Sequence, residues 1–397
     1  ATTAAGGVAT VESTATIGIG HTRWATHGRV TEANAHPHYD NEDRVHIVLN
    51  GIVENFSQLR EQLQSDGAVF TSETDAEVVA HLIARRYEGN LVEAVRVAYS
   101  ELRGHYAFVA MHADEPEILV GARKECPLVV GVGEGETFIA SAIPAFLKHT
   151  RRVGIVNDDE LIVIRPEGAE FLDAVSGEPV TREITEVDWD DDAAEKGGYE
   201  TFMLKEIHEQ ADAVAETIAD RTVRPDGVDL AEEASFDEEL LRDVNRIIVV
   251  ACGTSYHAGL IGRYAIEEWA RIPVEMDIAS EYRYRNPVVG PGDLVIGITQ
   301  SGETADTLAA MRIARERGAT VLAVTNIMGS QATRDSDGVL FTRAGLEIGV
   351  AATKTFVAQV AAMYLLALKI AQERGSLGEA EVAELVGEIR ALPHKLA

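Results

Sequence analysis

In the first half of the chain, short apolar runs alternate with Gly, Asn, Asp or Pro. Runs at Ile17–Ile19, His46–Leu49, Ala107–Met111, Ile118–Val120, Leu128–Val132, Phe138–Ala140 and Leu161–Ile164 predict strands. Two stretches break this rhythm. Glu77–Arg86 gathers Val78, Val79, Leu82 and Ile83 on one helical face, and Leu91–Leu102 does the same. The pattern predicts an α+β domain of packed sheets with flanking helices over residues 1–185. From residue 186 the chain turns acidic, with Asp188, Asp190, Asp191 and Asp192 ahead of Lys196-Gly-Gly, which reads as a solvated linker. A helix over Tyr199–Arg221 completes a connector spanning residues 186–236.

The second half follows a different period. Strands at Ile247–Ala251, Val274–Asp277, Leu294–Thr299, Thr320–Thr325 and Val339–Thr342 alternate with helices at Tyr256–Glu268, Thr304–Arg317 and Val350–Gln372. This βαβ rhythm predicts a doubly wound parallel α/β sheet over residues 237–376. A last helix, Glu379–Leu392 within residues 377–397, is expected to lead to a further domain. The most apolar run, Phe356–Leu368, is too short to span a bilayer and reads as a buried helix. The chain opens at Ala1 and stops after an amphipathic helix, so both ends are expected to be truncated.

Composition narrows the partners. Asp and Glu number 65 against 35 Lys and Arg, a net charge of -30, and only seven of the basic residues are lysine. No basic stripe is present, which argues against nucleic acid. Cys126 and Cys252 form no CxxC pair and no signal peptide is visible, so a reducing, cytoplasmic setting without a membrane anchor is expected.

Two strands of the second half run into small hydroxyl residues and glycine: Cys252-Gly253-Thr254-Ser255 and Gln300-Ser301-Gly302-Glu303-Thr304. Free backbone N–H groups at a helix start, together with hydroxyls, make a neutral phosphate cradle. The alternative for each cluster is helix capping. A Walker lysine and a GxGxxG string are both missing, so a nucleotide is not indicated. Cys252, at a strand end, reads as a small buried turn residue rather than a nucleophile.

The full string Gln300-Ser-Gly-Glu-Thr-Ala-Asp-Thr-Leu308 resembles the signature of the sugar isomerase (SIS) domain. Cys252-Gly-Thr-Ser-Tyr-His257 resembles its partner loop and Glu347-Ile-Gly-Val-Ala-Ala-Thr-Lys-Thr-Phe356 its third motif. The resemblance implies that Thr254, Ser255, Thr299, Gln300, Ser301 and Thr304 hold a sugar phosphate, with Val350 and Thr353 near the sugar. Ala352 stands where that family often has Ser, which removes one hydroxyl.

The first half carries His21-Thr-Arg-Trp-Ala-Thr-His-Gly28, Asn34-Ala-His-Pro-His38, Asn50-Gly51-Ile-Val-Glu-Asn55 and Ser72-Glu-Thr-Asp75. The histidine spacing fits no zinc pattern, so no metal is expected. Arg reads a carboxylate through a bidentate fork, Asp reads an ammonium, and Asn with the next backbone N–H stabilises an oxyanion. Arg23, Asp75, Asn50 and Gly51 supply those parts for glutamine hydrolysis. Asn50-Gly51 could equally be a turn, and Thr74-Asp75 a cap for the following helix.

The combined strings resemble the class II glutamine amidotransferase domain of the glucosamine-6-phosphate synthase family. That resemblance implies that Arg23, Thr26, His36 and Asp75 bind glutamine. Asn50 and Gly51 would form the oxyanion hole, and Trp24 would gate an ammonia path. The nucleophile of that class is an N-terminal Cys, and this chain starts at Ala1, so it is expected not to hydrolyse glutamine itself. The order of glutaminase-like domain, linker and SIS domain implies amination and isomerisation of fructose 6-phosphate to glucosamine 6-phosphate at the expense of L-glutamine. It also implies no cofactor and a homodimer or higher homo-oligomer built through SIS contacts. Two rival readings are another SIS enzyme, such as a deglycase or isomerase, and a non-catalytic sugar-phosphate sensor.

An acidic, lysine-poor surface repels itself until salt screens it, which predicts a protein from a salt-adapted organism. The urea midpoint should therefore rise from low salt to molar KCl; equal stability at both would contradict salt adaptation.

Overall fold

Along strand Val45–Val53 the side chains alternate between two cores. Val45, Ile47 and Leu49 join one apolar cluster while Val48 joins another. Strand Gly104–His112 repeats this with Phe108 and Ala110 against Ala107 and Val109, and strand Glu160–Arg165 with Leu161 and Val163 against Ile162 and Ile164. Such strands are buried on both faces, so the sheet must be covered twice. In the computed structural model, which describes residues 15–23, 28–187, 196–224, 227–230 and 238–397, it is.

The chain divides into two compact units, residues 1–189 and 190–397. The first unit contains a seven-stranded antiparallel sheet in the order His38–Tyr39, Val45–Val53, Gly104–His112, Glu115–Lys124, Glu160–Arg165, Gly168–Asp173, Pro179–Val180. Helices Phe56–Ser65, Glu77–Arg86 and Leu91–Glu101 cover one face through Leu59, Leu63, Val79, Leu82, Ile83 and Val95. A second antiparallel sheet, in the order Thr185–Glu186, Arg152–Ile155, Val129–Val132, Thr137–Ala140, contributes Val130 and Ile139 to the core on the other face.

The second unit has five parallel strands, ordered Val274–Ile278, Arg246–Ala251, Asp293–Thr299, Thr320–Thr325, Gly338–Phe341. In chain order that is 2-1-3-4-5, a doubly wound sheet. Ile247, Val249, Ile296, Ile298 and Val324 face a core completed by Leu365, Leu366 and Ile370 of helix Lys354–Arg374. Ile248, Val250, Val295 and Val321 face Leu308 and Met311 of helix Ala305–Glu316. Each fully buried aliphatic side chain contributes roughly 1.5–3 kcal/mol. Among the described residues, Lys354–Arg374 is the helix whose length and composition would let it cross a membrane, and here it is largely buried.

Several expectations need correction. Ile17–Ile19 forms no strand; it finds no ladder partner among the described residues and packs its two isoleucines on the inter-sheet core. Helix Phe56–Ser65 was not expected, because its apolar stripe is only Phe56, Leu59 and Leu63. The helix expected over Tyr199–Arg221 is instead two α-helices, Phe202–His208 and Gln210–Ile218, parted at Glu209, whose carboxylate reaches Lys354 at 2.7 Å, and a 3-10 turn at Asp220–Thr222. Residues 350–353 are not helical; the helix begins at Lys354. Thr74-Asp75 does not cap helix Glu77–Arg86, since Ala76 occupies that position and the Asp75 carboxylate turns instead to the strand. The acidic residues Asp188, Asp190, Asp191 and Asp192 lie outside the described residues.

The segment that enters helix Glu77–Arg86 is shaped by one buried carboxylate. Glu77 is 1% exposed and accepts the N–H groups of Thr71 and Ser72, both at 2.7 Å. It also accepts their hydroxyls at 3.0 and 2.6 Å. Burial alone would raise the Glu77 pKa, but hydrogen bonds from His81, Ser72 and Thr71 outweigh it and hold the group at about 2. A carboxyl whose pKa is depressed on folding stabilises fully above its unfolded value of 4.5, and that stabilisation is lost as pH falls through about 2. Glu77→Gln should thus cost on the order of 3 kcal/mol at pH 7 in urea unfolding. The gap to the parent chain should narrow between pH 4.5 and 2, and a gap independent of pH would refute this assignment.

Candidate functional sites

In the first unit, four separated segments are tied into one cluster by side-chain hydrogen bonds. Arg23 has a left-handed backbone (φ 37°) and donates from its guanidinium to the carbonyls of Gly28 and Arg29, at 3.1 and 3.0 Å. Asn34 is buried and bridges the Arg29 carbonyl (2.9 Å) to both the N–H and the carboxylate of Glu73 (2.8 and 3.2 Å). Next along the chain, Thr74 Oγ1 meets His38 Nε2 at 3.0 Å. Asp75 is buried and accepts the Val53 N–H at 2.7 Å. That contact brings Asp75 to the strand carrying Asn50 and Gly51.

Gly51 has φ +100°, and a Cβ there would lie 2.1 Å from the His105 carbonyl and 2.8 Å from Cys126 Sγ. No side chain fits, so this position, next to the exposed Asn50, requires glycine. Cys126 is therefore buried behind Gly51, a neighbour that the linear sequence did not suggest. His36 lies between His21 and His38, with ring centroids 4.3 and 4.5 Å away. Burial first, then the charges of His38, His21 and Arg23, push the His36 pKa down to about 3, so the ring is neutral at physiological pH. Its Nδ1 is buried without a hydrogen-bond partner among the described residues. Trp24 and Thr26 lie outside the described residues. Among the described residues no group of three or more His, Cys, Asp or Glu is arranged to hold a metal.

In the second unit the three motif segments all follow the carboxyl ends of parallel strands. Strands Arg246–Ala251 and Asp293–Thr299 are neighbours, and the strand order reverses between them. This is the topological switch point where open α/β sheets bind ligands. Cys252 starts helix Gly253–Ala265, which carries Thr254, exposed, and Ser255, buried, in its first turn. Burial raises the Cys252 thiol pKa, which keeps it protonated.

The loop after Asp293–Thr299 is internally braced. Thr299 Oγ1 and Thr304 Oγ1 are 2.8 Å apart, Gly302 N–H donates to Thr299 Oγ1 at 3.2 Å, and Glu303 N–H donates to Ser301 Oγ at 3.1 Å. The Gln300 carbonyl accepts from Asn326 N–H at 3.2 Å. Gly302 has φ +70°, and a Cβ there would sit 2.0 Å from Ser330 Oγ. Helix Ala305–Glu316 then starts at Thr304, so hydroxyls and free N–H groups share one small surface.

The third segment, residues 343–353, has no regular structure. Glu347 accepts the Thr353 N–H (2.8 Å) and hydroxyl (3.1 Å) and also bonds the Thr355 hydroxyl. Val350 is 79% exposed, and Ala352 and Thr353 are half-buried.

Residues 21–148 match the glutamine amidotransferase domain family, and residues 240–369 match the SIS domain family. The chain is 50% identical over 379 residues to the glutamine–fructose-6-phosphate aminotransferase [isomerizing] of Clostridium tetani, covering 96% of this chain and 62% of that protein. The protein of the same name from Methanosarcina acetivorans is 48% identical over 392 residues, covering 96% and 63%. A solved C-terminal domain of glucosamine-fructose-6-phosphate aminotransferase from Francisella tularensis is 39% identical, covers 50% of this chain and 56% of that one, and superposes with a TM-score of 0.48. The chain thus spans about 62% of the length of the first of these relatives. With a glutamine amidotransferase domain followed by a SIS domain, and about half of its residues shared over 96% of its length, the chain is a homologue of the isomerizing glutamine–fructose-6-phosphate aminotransferase family.

Proposed function

We propose that this chain forms the glutamine-binding and first sugar-phosphate-binding parts of an enzyme that converts L-glutamine and fructose 6-phosphate to L-glutamate and glucosamine 6-phosphate. The observation that carries this reading is that two hydroxyl-bearing loops leave adjacent strands at the switch point of a parallel sheet, on a chain that also matches a glutamine amidotransferase domain. The name shared by the curated relatives supports the same substrates. In this reading residues 1–185 act on glutamine, 237–376 hold the sugar phosphate, and 186–236 join them, with 377–397 leading onward.

Arg23 receives the α-carboxylate of glutamine and Asp75 its ammonium, while Thr26 and the neutral His36 are the further glutamine-binding residues. Asn50 and the Gly51 N–H receive the oxyanion of the tetrahedral intermediate. Cys126 is too enclosed behind Gly51 to be the nucleophile, which in this class is an N-terminal Cys. Trp24 gates the route taken by ammonia.

In the second unit Thr254, Ser255, Thr299, Gln300, Ser301 and Thr304 hold the phosphate through hydroxyls and helix-start N–H groups rather than through cations. Val350 and Thr353 border the sugar, and Ala352 supplies no hydroxyl there. Amination at C2 and isomerisation follow, and no metal or organic cofactor enters. We further infer a salt-rich cytoplasm as the setting and a homo-oligomer assembled through the SIS units.

Calorimetric titration in high salt tests this reading. Fructose 6-phosphate, glucosamine 6-phosphate and inorganic phosphate should all bind, and a Ser301→Ala, Thr304→Ala double variant should weaken all three by about tenfold or more. A folded sample that binds none of them would contradict the sugar-phosphate assignment.

A further inference from the structure

Residues 343–353 have no helix or ladder to satisfy their backbone, so their N–H groups need other partners. Side chains supply them. Asn326 Oδ1 accepts from Ala344 N–H at 2.8 Å, and Glu347 accepts from Thr353 N–H at 2.8 Å. The middle of the loop is held from outside. Glu206, on helix Phe202–His208, accepts the Ile348 N–H at 2.6 Å and the Gly349 N–H at 3.0 Å.

Glu206 is 2% exposed, and a buried carboxylate is tolerated only where donors converge on it. The approach is close: a Cβ on Gly349 would lie 2.4 Å from Glu206 Oε2. The helix bearing Glu206 is anchored beside it by the ion pair of Glu209 with Lys354, the first residue of the helix after the loop. Val350 follows directly and is 79% exposed, so its own side chain does little to fix it and its place depends on the backbone before it. Glu206 also lies outside residues 240–369, the span that matches the SIS domain.

We propose that Glu206 is a positioning residue for sugar recognition: from the connecting segment it fixes the backbone at Ile348 and Gly349 and so aims Val350 and Thr353 at the sugar. The phosphate cradle at Thr299–Thr304 is braced by its own hydroxyls and does not depend on Glu206. This inference rests on the sugar-phosphate reading of the second unit.

The test compares fructose 6-phosphate with inorganic phosphate by calorimetry on the full chain and on Glu206→Ala and Glu206→Gln, with amide exchange followed at Ile348 and Gly349. In Glu206→Ala, fructose 6-phosphate affinity should fall about tenfold while phosphate affinity is kept, and exchange at both amides should accelerate. Glu206→Gln retains an acceptor oxygen and should recover part of the loss. Equal weakening of both ligands would overturn the proposal by making Glu206 merely structural, and unchanged fructose 6-phosphate binding would overturn it directly. If the parent chain binds neither ligand, the sugar-phosphate reading fails instead, and unaltered exchange in Glu206→Ala would separately defeat the claim that Glu206 holds the loop.

Discussion

Buried carboxylates that gather backbone N–H groups are the constraint on which both candidate sites depend. Irregular loops have donors with no ladder to join, and an anion that accepts several of them fixes a shape at the cost of burying its own charge. Glu77 does this for Thr71 and Ser72, Asp75 for Val53, and Glu206 for Ile348 and Gly349, while the half-buried Glu347 does so for Thr353. Hydrogen bonds to charged acceptors are stronger than neutral ones, so a single residue can order a turn that packing alone would leave loose. The acidic composition of the chain is therefore partly structural: some of its carboxylates face inward and shape loops, while the remainder make up the charged surface.

The sheets provide what those loops are fastened to. In the first unit, strand Val45–Val53 is paired through its whole length with Gly104–His112, which holds Asn50 and Gly51 rigidly at its far end. In the second, strands Arg246–Ala251 and Asp293–Thr299 run in parallel register with Ala251 opposite Ile298, so both hydroxyl-bearing loops leave the sheet at the same level. Sites built on such strand ends need little reorganisation when a ligand arrives.

Much of this was legible in the sequence where signals are local. Helix Glu77–Arg86 and strand Thr320–Thr325 match their periodic patterns to the residue, and the remaining parallel strands fall within one or two. Buried strands announce themselves through unbroken β-branched runs. What was not legible was long-range. The sequence pattern carries the third helix back to Val350, because Val350, Ala351 and Ala352 extend its apolar run; a carboxylate 142 residues away at Ile348 and another at Glu347 hold that backbone open instead. The positions of Glu206 and Cys126 could not be read either, since nothing in their flanking residues marks them, and Asn34, though it opens one of the strings, gave no sign of its bridge to Glu73. The glutamine-site strings were recognisable as strings, yet the bridge from Asp75 to Val53 appears only once the chain is folded.

Hydrogen exchange of the full chain with and without fructose 6-phosphate in high salt tests the central claim most directly. The account predicts new protection confined to residues 253–255, 299–304 and 347–353, the three segments that follow the carboxyl ends of parallel strands. Protection elsewhere in the chain with these three unchanged would contradict it.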